Sequence, residues 1–335
     1  MVWVKFLLSA VIISISAIQL SKYADYIAVR TRLGGMFVGT LLLAGATSLP
    51  EILTMLSAIR NGEPGLAAGN LMGSNMVNML IMAILDLQHN NRSLLHEAAA
   101  NHALTGSLSV MMIALPVFFI MANIPLGFSI GQTTLGLDSL SLILAFIIAM
   151  NLLQRQSRAQ ARLASDEEPP AGFPSLTSAL VGFFVTTVVL VIVSPWLVSS
   201  SIEIADITGL GTTFIGTTLV AIVTSIPELL STISASRMGA DDLAIGNLFG
   251  SNMFNMALLG VADLFYSDGR FFATVDPSFI TVGMLGLIMT LMALIGTLAR
   301  VERKKAFMQI DSLLIIVVYI AGMTLLYSRG ITIIN

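Results

Sequence analysis

Cysteine is absent from this 335-residue chain, and charged residues are scarce. Without cysteine the chain can form neither a disulfide bond nor a thiolate metal site. Charged residues make up 10% of the sequence, whereas soluble domains carry about 25%. Hydrophobic residues make up 56%, and the mean hydropathy is +0.91. These values exclude an ordinary soluble domain and indicate a protein whose main solvent is lipid.

Several functional classes leave no signal in the sequence. No cluster of Lys and Arg predicts nucleic-acid binding. No phosphate-binding loop and no nucleophile–base motif occurs, and the Gly-rich segments lie inside apolar runs. We therefore predict that the chain is not an enzyme, uses no cofactor and binds no nucleic acid.

Long apolar runs occur ten times, and each approaches the roughly 20 residues that a helix needs to cross a bilayer core of about 30 Å. The runs are continuous, whereas the strands of a β-barrel would alternate polar and apolar residues. We predict an all-α, multi-pass protein of the cell membrane. Its ten transmembrane helices are expected near residues 4–22, 35–59, 65–87, 103–122, 131–153, 174–199, 212–236, 241–265, 277–298 and 309–328.

Positive charge is distributed unevenly between the two sides that ten spans would define. Of the sixteen Lys and Arg residues, twelve fall on one side and four on the side of the termini, namely Lys5, Arg60, Arg270 and Arg329. Cytoplasmic loops carry the excess of positive charge. We therefore predict that both termini are extracytoplasmic.

The chain contains an internal repeat. Residues 39–80 align without gaps onto residues 216–257 at a constant offset of 177, with 24 identities in 42 positions. That offset carries five predicted spans, an odd number, so the second copy must enter the membrane from the opposite side. We predict two inverted five-helix repeats, at 1–153 and 174–335, joined by a cytoplasmic linker at 154–173.

A glutamate follows a proline in each copy. Glu51 and Glu228 lie in the middle of predicted spans, where an ionised side chain is costly and faces a cavity or a partner. No Lys or Arg lies at a comparable depth in either segment. Pro50 and Pro227 each remove a helical hydrogen bond, which is expected to free carbonyl groups near 44–47 and 221–224 as ligands. The two carboxylates require a bound cation or protons.

Other polar residues recur between the copies. Ser74 and Asn78 are four residues apart and so share one helix face, as do Ser251 and Asn255. Carboxylate, hydroxyl, amide and carbonyl oxygens are the ligands of hard cations such as Ca2+, Na+ or Mg2+. The full recurring set is Thr47, Ser48, Glu51, Asn70, Ser74, Asn75 and Asn78, with Thr224, Ser225, Glu228, Asn247, Ser251, Asn252 and Asn255.

These segments resemble the two alpha repeats of the sodium/calcium exchangers, in the calcium/cation antiporter superfamily. The first copy contains ATSLPE and GNLMGSNMVN, and the second contains VTSIPE and GNLFGSNMFN. The resemblance covers both repeats and, with ten spans, essentially the whole chain. It implies four ion positions formed by the second, third, seventh and eighth helices.

The resemblance also implies individual roles. Glu51 and Glu228 would be the principal Ca2+ ligands, assisted by the carbonyls of Thr47 and Thr224. The Na+ positions would be completed by Ser48, Ser74, Ser225 and Ser251 with the carbonyls of Ala44 and Ala221. Asn78 and Asn255 would stand at the centre, where some members of the family have Asp. Ala46 and Val223 depart from the family, which commonly has Gly there.

The function implied is antiport of Na+ against Ca2+ by alternating access, with mutually exclusive ion binding. We expect the first and sixth helices to slide past a fixed bundle, in contact with membrane lipid and without a required oligomer. A proton/calcium exchanger of the same superfamily is an alternative, although Ser and Asn in the third and eighth helices favour Na+. A cation channel is a weaker alternative, because conduction requires binding weak enough to release the ion.

Two further acids recur near the ends of the third and eighth predicted spans. Asp86 and Asp263 are about 18 Å along the helix from Ser74 and Ser251 at 1.5 Å per residue, too far for ion ligands. We favour anchoring of helix ends as their role, with solvated ion vestibules as the alternative.

Overall fold

The computed structural model describes residues 1–31, 45–88, 99–122, 127–130, 133–161, 174–237, 241–298 and 310–332. Within these ranges the chain is almost entirely helical. The helices are α1 (Val2–Thr31), α2 (Leu49–Arg60), α3 (Pro64–Gln88), α4 (Ala99–Ala122), α5 (Leu137–Ala161), α6 (Leu176–Thr208), α7 (Thr212–Thr224), α8 (Ile226–Arg237), α9 (Asp241–Ala262), α10 (Phe271–Thr274), α11 (Phe279–Leu298) and α12 (Ile310–Thr332).

Seven of these helices are long and apolar enough to cross a membrane: α1, α3, α4, α5, α6, α11 and α12. Helices α7 and α8 form an eighth candidate if the pair, bent by 40°, is one span. A described helix overlaps each of the ten predicted segments, although residues 35–44 lie outside the described ranges and α9 contains three Asn residues and one Ser. The prediction of membrane-spanning helices is confirmed, and the count of ten stays a prediction.

A β-hairpin departs from the all-α prediction. Strands β1 (Gly127–Ile130) and β2 (Thr133–Gly136) are antiparallel, and Ile130 pairs with Thr133. Branched side chains such as these favour extended backbone. The fifth predicted span was therefore placed too early, because residues 133–136 form a strand and α5 begins only at Leu137.

The helix before each glutamate is interrupted at a serine. Ser48 precedes α2 with φ −87° and ψ 7°, and Ser225 lies between α7 and α8 with φ −85° and ψ 4°. Pro50 and Pro227 follow two residues later, and proline provides no N–H to continue the preceding helix. The interruption places the glutamate after each proline in the first turn of a new helix.

Helices α3 and α9 form the centre of the fold. Helix α3 contacts α2, α7, α9, α11 and α12, and α9 also contacts α4, α5 and α8. Helices α1 and α6 lie together along much of their length, and their buried residues form a separate apolar cluster with parts of α2 and α7. The described residues thus divide into a central bundle and a helix pair on its flank.

Glycine brings the backbones of α3 and α7 into contact. A Cβ atom on Gly73 would lie 2.7 Å from the Thr217 Cα, and a Cβ on Gly216 would lie 2.7 Å from the Leu66 carbonyl oxygen. Gly216 also begins the π-helical turn Gly216–Val220 within α7. Small residues allow this kind of close approach between membrane helices. The contact brings the polar residues of α3 next to the end of α7.

The acids at the ends of α3 and α9 anchor neighbouring segments. The Asp86 carboxylate accepts a hydrogen bond from the Ser312 hydroxyl at 2.7 Å, at the start of α12. The Asp263 carboxylate accepts from the backbone N–H of Gly136 at 2.8 Å and from that of Phe271. Both carboxylates are buried. These contacts and the burial of both carboxylates favour the anchoring role over solvated ion vestibules.

Alanine at position 73 tests the contact between α3 and α7. We expect Gly73→Ala to lower the free energy of unfolding by about 1–3 kcal/mol, because the added methyl group meets backbone that has little room to move. The measurement is the thermal midpoint in detergent.

Gly286→Ala, in the buried part of α11, is the control. A Cβ atom there would lie 3.7 Å from Met76 Cγ, an ordinary van der Waals distance. Equal thermal midpoints for the two variants would contradict the close contact.

Candidate ion-binding site

The predicted site residues lie together in the interior, on α2, α3, the bent pair α7–α8, α9 and the residues just before α2. All those that the structure describes are buried; they are Thr47, Ser48, Glu51, Ser74, Asn78, Ala221, Thr224, Ser225, Glu228, Ser251 and Asn255. Ala44 was also predicted as a ligand and lies outside the described residues. The structure thus brings residues from both copies of the repeat to one place.

The two glutamates come from opposite copies of the repeat, and both lie in the interior. Each is 1% exposed, and they interact electrostatically with each other. Each occupies the first turn of its helix, where the helix dipole and unpaired backbone N–H groups favour negative charge. One carboxylate oxygen on each, Oε2, has no hydrogen-bond partner among the described residues. Neither forms an ion pair with Lys or Arg in the described part of the chain.

Hydroxyl groups from the opposite copy surround each carboxylate. Ser48 Oγ donates to Glu228 Oε1 at 3.3 Å, and the Thr47 hydroxyl also interacts with the Glu228 carboxylate. The Thr224 hydroxyl interacts in turn with Glu51. Each glutamate therefore interacts with at least one side chain of the other half, and its surroundings depend on how the halves pack.

Thr224 connects the carboxylates to α3. Its hydroxyl donates to Asn70 Oδ1 at 2.8 Å and lies 3.4 Å from Ser74 Oγ. Asn70 was recognised as a recurring residue but not as part of the site. The signal in the sequence was its recurrence as Asn247, but recurrence alone does not say which side chain it contacts.

Two amide hydrogen bonds join α3 to α9. Asn78 Nδ2 donates to Asn252 Oδ1 at 2.9 Å, and Asn255 Nδ2 donates to Asn75 Oδ1 at 3.1 Å. Asn75 and Asn252 were likewise recurring residues without a predicted role in the site. These bonds join the two copies directly, from α3 to α9.

The Ala221 carbonyl differs from the sequence expectation. It was expected to be freed by Pro227, but it accepts the backbone N–H of Ser225 at 3.0 Å. The proline removes its own N–H and not that of Ser225, so the helical bond survives. A carbonyl oxygen has two lone pairs, and this one also lies 3.4 Å from the Thr224 hydroxyl.

The buried oxygen atoms around Glu51 and Glu228 are here called the cage. They are of the kinds that bind hard cations. Two carboxylates provide the negative charge, while hydroxyl, amide and carbonyl oxygens provide neutral ligands of the kind that Ca2+ and Na+ prefer. No group of three or more His, Cys, Asp or Glu side chains that could hold a metal ion occurs among the described residues. The formal charge of the cage is therefore set by Glu51 and Glu228.

Solved structures of two exchangers have a similar fold. One is the sodium-calcium exchanger NCX_Mj, with a TM-score of 0.60 and 20% identity, covering 97% of this chain and 99% of the other. The second is the H+/Ca2+ exchanger CAX, with a TM-score of 0.68 and 16% identity, covering 99% and 86%. At such identities the likeness concerns the fold alone.

Sequence relatives include exchangers of both kinds. The sodium/calcium exchanger MaX1 of Methanosarcina acetivorans is 27% identical over 317 residues, which are 84% of this chain and 87% of the relative. The Ca(2+)/H(+) antiporter ChaA of Bacillus subtilis is 27% identical over 286 residues, or 77% and 78%.

The family model described as "Sodium/calcium exchanger protein" matches residues 1–153 and 178–328. These two stretches include every described residue of the site. Together with the buried two-carboxylate cage, this match shows that the chain belongs to the sodium/calcium exchanger family of membrane proteins.

Proposed function

We propose that this chain exchanges Na+ for Ca2+ across a cell membrane, by alternating access to the buried cage. The observation that carries the proposal is the burial of Glu51 and Glu228, one from each copy, each with a carboxylate oxygen that no described residue hydrogen-bonds. A buried charge without a partner is strongly unfavourable. A cation bound between the two carboxylates removes that penalty.

Charge balance explains why the two ions would compete. Two carboxylates neutralise one Ca2+, and the same oxygens can surround Na+ instead. The two glutamates would bind Ca2+ together with the Thr47 and Thr224 carbonyls. Na+ would use the serine hydroxyls of both copies and the Ala44 and Ala221 carbonyls, and Asn78 and Asn255 would face the centre. Shared oxygens make simultaneous occupancy unfavourable, as antiport requires.

The proposal includes ten spans in two inverted repeats, at 1–153 and 174–335, joined by the linker 154–173. The matching interruptions at Ser48 and Ser225 support it, because each copy presents its glutamate in the first turn of a new helix. The separate cluster of α1 and α6 supports movement of this helix pair against the bundle. Such movement would open the cage to one side of the membrane at a time.

Proton/calcium exchange is the second candidate. The similarity to the Ca(2+)/H(+) antiporter ChaA favours it. In that case protons would replace Na+ on the same two glutamates. The hydroxyl and amide oxygens around the carboxylates favour Na+, because protonated carboxyls would not need so many neutral ligands.

A flux measurement distinguishes the two candidates. We expect 45Ca2+ uptake into proteoliposomes under an outward Na+ gradient and none under an outward proton gradient. Glu51→Gln and Glu228→Gln should each reduce uptake at least about tenfold, since losing one charge at the cage removes more than the 1.4 kcal/mol that corresponds to tenfold. Glu203→Gln, at an exposed position of α6, is the control that should retain uptake.

Each result of the flux measurement has a distinct meaning. Uptake driven only by the proton gradient would transfer the chain to proton/calcium exchange. Uptake that persists in both glutamine variants would place the ion site elsewhere. Absence of uptake under either gradient would contradict Ca2+ exchange altogether.

Calcium should stabilise the folded protein directly. A ligand present at 100 times its Kd stabilises the native state by about 2.7 kcal/mol, so Ca2+ should raise the thermal midpoint of the purified protein. Glu228→Gln should abolish this increase, and Na+ should reduce it in the wild type by competition. An undiminished increase in Glu228→Gln would show that Ca2+ binds without this carboxylate.

The absence of native cysteine allows a direct test of orientation. Ser165→Cys, in the linker 154–173, should react with an impermeant maleimide only after the cells are opened. Ser267→Cys, between α9 and α10, should react in intact cells. The reverse pattern would overturn the proposed location of the termini outside the cytoplasm.

A further inference from the structure

Four asparagines form two equivalent bridges between α3 and α9. Asn78 Nδ2 donates to Asn252 Oδ1 at 2.9 Å, and Asn255 Nδ2 donates to Asn75 Oδ1 at 3.1 Å. The offset of 177 relates Asn75 to Asn252 and Asn78 to Asn255. The same bridge is therefore made twice. In one bridge the donor belongs to the first copy and the acceptor to the second, and in the other bridge the copies are exchanged.

The direction of these bonds determines which end of each amide is used. A carboxamide has one oxygen that accepts and one nitrogen that donates. Because Asn78 and Asn255 use their nitrogen in the bridge, their Oδ1 atoms are left over; both are buried and have no hydrogen-bond partner among the described residues. The atoms left over on Asn75 and Asn252 are the Nδ2 atoms.

Only one of these two kinds of leftover atom can bind a cation. An amide oxygen is a ligand for Ca2+ and Na+, whereas an amide NH2 group carries partial positive charge and repels them. Without the bridge, the amide of Asn78 or Asn255 could turn over and present its NH2 group to the ion. The cage has only two carboxylates, so the orientation of these neutral groups matters for its affinity.

Packing alone does not explain the arrangement. All four side chains are buried, and buried polar atoms without partners destabilise a fold. A pair of apolar residues of similar shape would join α3 and α9 without that penalty. The unpartnered oxygens are instead consistent with atoms reserved for a ligand.

We infer that Asn75 and Asn252 are positioning residues, which orient the carboxamides of Asn78 and Asn255 so that their oxygens face the transported cation. They would not contact the ion themselves. The inference rests on the proposed function, since it assigns a role at the same cation site. It adds two residues whose importance comes from the direction of a hydrogen bond.

The test compares removal of the acceptor with its retention. Asn75→Leu and Asn252→Leu remove the acceptor, whereas Asn75→Asp and Asn252→Asp keep an oxygen that can accept the same bond. We expect each Leu variant to raise the half-saturating Ca2+ concentration for Na+-driven uptake about tenfold, with a smaller change in maximal rate. Each Asp variant should lose distinctly less affinity than the Leu variant at the same position.

A matched control separates this effect from a general effect of the substitution. Asn151→Leu replaces an exposed asparagine of α5 whose amide donates to the Ile147 carbonyl of its own helix. It should leave the half-saturating concentration unchanged. If a Leu variant fails to fold, Asn75→Ala or Asn252→Ala, which adds no bulk, replaces it in the comparison.

The outcomes distinguish this inference from the proposed function. Half-saturating concentrations unchanged in the Leu and Ala variants of an active exchanger would overturn the positioning role and leave Na+/Ca2+ exchange standing. Equal losses in the Leu and Asp variants would also overturn it, because the bond direction would then be irrelevant. A wild type that neither takes up Ca2+ nor is stabilised by it would overturn the proposed function, and the inference with it.

Discussion

Two buried carboxylates that form no ion pair with any described Lys or Arg are the constraint on which this structure depends. Glu51 and Glu228 lie among helices whose outer surfaces are apolar, so water cannot solvate them as it would at a protein surface. Their charge must be offset by helix dipoles, by hydroxyl donors and by a bound cation or protons. The first two are present in the fold, and the third is what the proposed exchange provides.

The backbone features of the two copies follow from this constraint. The interruptions at Ser48 and Ser225 turn each glutamate into a first-turn residue, where the helix dipole favours its charge. Glycine at position 73 lets α3 approach α7 closely enough for Ser74 to lie 3.4 Å from the Thr224 hydroxyl. The helix interruptions and the contact between α3 and α7 therefore contribute to one network of polar groups. In this network, hydroxyl groups of one half interact with the carboxylate of the other half.

The anchors at the helix ends have a different role from the site. Asp86 and Asp263 occupy equivalent positions in the two copies, yet Asp86 accepts from a serine hydroxyl and Asp263 from two backbone N–H groups. Asp86 connects α3 to the start of α12, whereas Asp263, directly after α9, connects that helix end to strand β2 and to α10. Such ties are consistent with a bundle that holds the cage in place while another part moves.

The sequence by itself determined the membrane class, the internal repeat and the chemical type of the site, because hydropathy, offset and residue type are properties of the chain. It also located the interruptions beside Pro50 and Pro227, since proline acts on the local backbone. The hairpin before α5 and the bonded state of the Ala221 carbonyl are local features that hydropathy and residue type do not reveal. Only the tertiary structure decided the partners of Asn75 and Asn252. These depend on which groups meet across the two halves, and such contacts between distant segments leave no local pattern in the sequence.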